Sequence, residues 1–142
     1  MNTVTECPFC QIFAGKVEVR RVFEGGNVLG IVDVQPRFAL GQCLVIPKKH
    51  VEQFYELDDD EVAELFKAVK AVANKIKKAF APPFVCIVSR GQTIPHAHII
   101  VFPSSPYGVL DGFMDSLAVF HSLSEETSAD KLDNIAQKIR NA

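Results

Sequence analysis

Apolar residues along the chain recur with two different periods. Val62, Leu65, Phe66, Val69, Val72, Ala73, Ile76 and Phe80 stand three or four positions apart, the spacing of one helical face, so an amphipathic helix of about six turns is expected there. Asp58, Asp59, Asp60 and Glu61 crowd its start and Lys75, Lys77 and Lys78 its end, the charge order a helix dipole favours. Pro82 and Pro83 stop it. Elsewhere the apolar runs are short and bounded by turn residues. "VRRVFEGG" and "NVLGIVDV" flank Gly25-Gly26-Asn27 and predict a hairpin, and "QCLVIP" predicts a strand ended by Pro47. "FVCIVS" and "HAHIIVF", joined by "RGQTIP", predict two more. "CPFCQIFAGK" reads as a short helical turn ended by Gly15, and the chain after Pro106 as two helical pieces, the last being "SADKLDNIAQKIRNA". Strands joined by short turns, with one long helix to cover a face, imply an α+β fold built on an antiparallel sheet of about five strands.

In "GQTIPHAHIIVFP" an otherwise apolar strand carries two histidines. Alternate residues of a strand face opposite sides, so His96 and His98 share a face with Ile100 and Phe102, and Ala97, Ile99 and Val101 take the other. Two buried imidazoles side by side cost free energy unless each finds a partner. They are either satisfied core histidines or a chemical pair. In the second case a neutral imidazole can attack phosphorus, and the turn "SRGQT" can cradle an anion.

Composition narrows the possibilities. At 142 residues the chain fits one domain, 1–142, and 48% hydrophobic with 23% charged residues is the balance of a soluble globular protein. A formal net charge of −2 supplies no long-range field to gather nucleic acid, so no nucleic-acid partner is expected. The start "MNTVTECPFCQ" lacks the basic and apolar regions of a signal peptide, and no apolar stretch is long enough for a membrane span. A cytoplasmic location follows as the expectation, with the four cysteines as thiols or metal ligands. Cys7-Pro8-Phe9-Cys10 is a Cys-x-x-Cys pair: it suits Zn²⁺ if two more N or S ligands close a tetrahedron, and a redox pair or plain packing otherwise. Cys43 and Cys86 sit within apolar strands and are expected in the core.

"GQTIPHAHIIVF" resembles the signature of the histidine triad (HIT) superfamily, a Gly-Gln-Ser/Thr turn leading into histidines alternating with apolar residues. "CPFCQIFAGKV", "VLGIVDVQP" and "GQCLVIPKKH" resemble, in the right order, further segments of its zinc-containing branch, so the match spans residues 7 to 103. The resemblance implies a nucleotide-binding enzyme that cleaves a purine nucleoside monophosphate, AMP or GMP, from a phosphoramidate, polyphosphate or similar conjugate. It implies His98 as the nucleophile that forms a nucleotidyl intermediate. Phe9, Ile12, Ile31 and Val34 would line the base pocket, Asp33 would bind the ribose hydroxyls, and Gly91, Gln92 and Thr93 would hold phosphate, joined by Ser89 and Arg90. The metal would be Zn²⁺ on Cys7, Cys10, His50 and His96, and the protein a homodimer.

The chain departs from the family pattern in its third histidine, which is Ile100 here. Isoleucine donates no hydrogen bond to phosphate, and a polar contact made in the transition state is worth about one to a few kcal/mol. A second function is therefore also expected, that of a nucleotide-binding sensor without turnover. A hexose-1-phosphate nucleotidylyltransferase is the third, disfavoured because those enzymes are longer and use two such domains. The loop before the motif is short, and Arg90 either pairs with phosphate there or is simply solvated. His121 is expected as a surface or packing residue, and "SSPYG" as a connecting loop or a cover for the nucleotide.

Overall fold

The structure, a computed structural model, describes residues 6–105, 108–122 and 127–142, with the backbone alone for 119–122. The side chain of His121 and residues Pro106 and Tyr107 of "SSPYG" lie outside that description. Residues 1–142, expected as one domain, form two compact units, Met1–Asp111 and Gly112–Ala142. No helix among the described residues is long and apolar enough to cross a membrane.

The first unit begins with α1 (Pro8–Phe13), closed by Gly15 in the left-handed region at φ +72°. The hairpin β1 (Arg21–Glu24) and β2 (Val28–Val32) follows, then β3 (Cys43–Pro47), α2 (Asp59–Phe80), β4 (Val85–Val88) and β5 (Ile99–Pro103). The five strands form one antiparallel sheet in the order β1-β2-β3-β5-β4, the α+β architecture expected. The second unit's helices are α3 (Val109–Ser122), which starts at the end of the first unit, and α4 (Ala129–Arg140).

Period-two alternation divides the core between the two faces of the sheet. Val28, Cys43, Val45, Ile99 and Val101 point toward α2, where they meet Leu65, Val69, Val72 and Ile76. Leu29, Ile31 and Ile46 point the other way and pack with Cys7, Phe9 and Ile12 of the α1 segment. Gly30 of β2 lets α2 approach closely: a Cβ there would stand 3.0 Å from Val72 Cγ2 and 2.9 Å from Phe23 Cβ. The start of α2 is sealed by a capping box in which the Asp58 carboxylate accepts from Glu61 N at 2.9 Å and Glu61 accepts from Asp58 N at 3.0 Å. Ala81 ends the helix in the left-handed region, just before the two prolines.

Two expectations need adjustment. The strand expected from His96 begins at Ile99, because the Ala97 N–H donates to the Val51 carbonyl at 2.7 Å instead of joining the ladder, and pairing with β3 stops at Val45↔Ile99. Cys43 is buried as expected, but Cys86 is only half-buried, since β4 is an edge strand with one neighbour.

Candidate metal centre and adjoining cavity

Three separate parts of the chain meet beside α1. Cys7 caps the helix and Cys10 lies in its first turn, His50 follows the turn after β3, and His96 lies in the loop entering β5. The ligand atoms of all four lie within 4.8 Å of one another. His96 Nδ1 is 3.3 Å from Cys7 Sγ, 3.6 Å from Cys10 Sγ and 3.1 Å from His50 Nδ1, while Cys10 Sγ is 3.2 Å from His50 Nδ1. A tetrahedron with Zn–S of about 2.3 Å and Zn–N of about 2.1 Å has edges of about 3.4 to 3.8 Å, so these donors fit one zinc ion with little movement. Four protein donors leave no open coordination position, which is the arrangement of a structural site.

The local chemistry agrees with that fit. His96 is fully buried and donates its Nε2–H to the Pro47 carbonyl at 2.8 Å, leaving Nδ1 as the lone-pair atom aimed at the sulfurs. Burial pushes the His96 imidazole below its ordinary pKa, against the pull of that carbonyl, and His50 and His98 nearby add to the lowering. The neutral ring is the form that ligates metal. Burial, with the Cys7 sulfur beside it, pushes the Cys10 thiol up to about 11, so a cation is what would make a second thiolate tolerable here.

His98 lies two residues on and faces a different space. Its Nδ1 is 2.7 Å from the His96 carbonyl; a carbonyl only accepts, so Nδ1 carries a proton, and in the neutral ring the lone pair is on Nε2. The Phe9 ring sets its edge against both imidazoles, with centroids 5.6 Å from His96 and 5.2 Å from His98. Phe9 thus belongs to both the metal centre and a cavity of about 460 Å³ that His98 lines.

Nearly all the residues expected around a ligand line that cavity: Phe9, Ile12, Ile31, Asp33 and Val34 on one side, and Arg90, Gly91, Gln92 and Thr93 on the other. Ser89 does not; it is exposed at the end of β4, before the chain turns in. Asp33 is held in place by its neighbours. One oxygen accepts from Gln35 N at 2.9 Å and the other from Gln42 Nε2 at 2.5 Å. Gly91 adopts φ +61°, where a Cβ would also stand 3.0 Å from the Glu52 carbonyl, so glycine is needed at this turn on two counts.

Several lining residues were not legible by spacing. Arg20, Arg37 and Gln42 also line the cavity; the Arg20 carbonyl accepts from Val32 N, and Gln42 bridges Asp33 to Phe38 N. The one available signal was a polar glutamine opening the apolar run "QCLVIP".

A family model described as HIT domain matches residues 14–106. The chain belongs to the HIT family. The Bacillus subtilis protein hit is 32% identical over 98% of this HIT protein and 95% of its own length. Among solved structures, a hypothetical histidine triad nucleotide-binding protein of Sulfolobus tokodaii superimposes with a TM-score of 0.65 at 38% identity, over 69% of this chain and 68% of the other. A zinc-bound histidine triad family protein of Mycobacterium smegmatis superimposes at 0.66 with 27% identity, over 74% and 79%.

Proposed function

We propose that this HIT protein is a nucleotide hydrolase or transferase that releases a nucleoside monophosphate from a conjugate through a nucleotidyl-His98 intermediate. The observation that carries the reading is the His98 ring, whose Nδ1 is committed to the His96 carbonyl and whose Nε2 has no partner among the described residues, in the cavity that Gly91, Gln92 and Thr93 also line. The base lies between Phe9, Ile12, Ile31 and Val34, and a purine is the base expected. The ribose meets Asp33. The phosphates meet Gly91, Gln92, Thr93 and Arg90. Nε2 attacks the α-phosphorus and the bond to the leaving group breaks; water then cleaves the P–N bond, and its electron pair returns to His98.

Cys7, Cys10, His50 and His96 would hold Zn²⁺, which supplies a cross-link between α1, the turn after β3 and the loop entering β5. The zinc-bound and nucleotide-binding descriptions of the two structural relatives support both parts of the reading. A homodimer in the cytoplasm remains the expectation; the exposed Phe84 and Ile87, beside and on the edge strand β4, offer surface for a second copy. Ile100 supports the rival function, a nucleotide sensor without turnover.

Intact mass measured within seconds of mixing with an adenosine phosphate conjugate separates the two. A transient gain of one AMP on the wild type, absent from His98→Ala and followed by free AMP, is expected. Binding by calorimetry with neither adduct nor release would establish the sensor instead.

A further inference from the structure

Ile100 stands in an apolar row that crosses the sheet. Ile31 pairs with Leu44, Leu44 with Ile100, and Ile100 with Val88, and all four line the cavity. At about 4.8 Å between strands the row is about 14 Å long. Its Ile31 end lies with Phe9 and Ile12, where the proposed function puts the base, so the leaving group is directed over Ile100 and Val88.

Among the described residues lining the cavity, no carboxylic acid, lysine, tyrosine or cysteine stands at that end, and the one imidazole, His98, is already the nucleophile. The acids among the lining residues are Glu18 and Asp33. Asp33 follows β2, two strand spacings or about 10 Å from β5, and both its oxygens are engaged as acceptors. Glu18 precedes β1, one strand further out. Arg90 is near, follows β4, and has no carboxylate or hydrogen-bond partner among the described residues. A guanidinium stabilises negative charge but does not donate its proton.

We infer that Ile100 makes the site selective for leaving groups: nucleotides whose departing oxygen leaves as the anion of an acid are turned over, and amines, which must be protonated to leave, are poor substrates. The inference rests on the proposed nucleotidyl-His98 reaction. His98 Nε2 forms the new P–N bond while the P–O bond breaks, and its electron pair leaves on the oxygen beside Arg90 as phosphate, carboxylate or phenolate. Water then adds to phosphorus and loses a proton to solvent, while the P–N bond breaks with its electron pair returning to His98 Nε2, and AMP is released. No proton is needed by the leaving group in either step.

The test is a series of adenosine 5′-aryl phosphates whose phenols span about three pKa units below that of tyrosine, about 10, with an adenosine phosphoramidate beside them. Burst rates of AMP–protein formation are read for zinc-loaded wild type, Ile100→His and Ile100→Gln. In the wild type the rate is expected to fall at least about a hundredfold from the most to the least acidic phenol, the scale of a missing general acid, with the phosphoramidate slowest. Ile100→His should flatten that dependence and raise the phosphoramidate rate, whereas Ile100→Gln, which donates a hydrogen bond but no proton, should leave it steep. A flat dependence in the wild type, with adduct formed throughout, overturns the inference and leaves the hydrolase reading intact. No adduct with any member overturns both. If Ile100→His does not fold, the wild-type dependence and the Ile100→Gln comparison still decide.

Discussion

Single residues here do their work through atoms that are already committed. His96 spends Nε2 on the Pro47 carbonyl and His98 spends Nδ1 on the His96 carbonyl, so two identical side chains present different nitrogens, one to the sulfurs and one to the cavity. Gln42 is 1% exposed and plays a similar positioning part, accepting from Phe38 N at 3.1 Å while donating to Asp33. Gln42→Ala leaves the Phe38 N–H without its acceptor and frees the Asp33 carboxylate to rotate. A loss of about 1–3 kcal/mol in denaturant stability is expected, together with weaker binding of AMP than of a ribose-lacking phosphate analogue; equal weakening of both would place the effect outside the Asp33 loop. The residue types at both centres were legible in the sequence. The acceptor of each ring was not: Pro47 lies 49 residues from His96, and the His96 carbonyl, though only two residues from His98, is reached by a ring rotation that no side-chain period reports.

Elements position these atoms by close approach. α2 lies on the sheet through Val72 and Leu65, and the contact at Gly30 is tight enough that a single methyl group has no place. Gly30→Ala is expected to cost about 1–3 kcal/mol by overpacking, readable as a lower urea midpoint with an unchanged m-value. A smaller residue paired with it at Val72, in Gly30→Ala/Val72→Ala, should recover part of the loss if the clash with the helix dominates that with Phe23. The helix itself was legible almost to its ends, because the three- and four-residue recurrence, the acidic start and the Pro82-Pro83 stop all agree. The start of β5 was less so. Alternation extends back to His96, but the backbone there is bonded to Val51, and a period in side chains does not report where a ladder stops.

At the scale of the whole first unit, the candidate metal centre joins pieces far apart in sequence: 89 residues separate Cys7 from His96, and 40 separate Cys10 from His50. Phe9 sits between the two cysteines and also against His98, so removing the metal should be felt in the cavity. Chelation of zinc is expected to lower the melting temperature and to weaken AMP binding by about tenfold or more, roughly 1.4 kcal/mol. Calorimetry on zinc-loaded and chelated protein checks it, and an unchanged affinity in a folded, metal-free protein would separate the two centres. By itself the sequence determined the elements, the faces of each strand and the chemistry available, because helical and strand periods and the Cys-x-x-Cys spacing are properties of neighbouring residues. The joining of His50 and His96 to the cysteines was legible only as a resemblance to a family pattern. The tertiary structure decided what lies beside what: Gln42 against Asp33, Arg20 at the cavity, and the row Ile31–Leu44–Ile100–Val88 along the cavity lining. Those neighbours follow from the strand order β1-β2-β3-β5-β4, which inserts β5 between β3 and β4, a long-range choice made by burial of both sheet faces and by no local period.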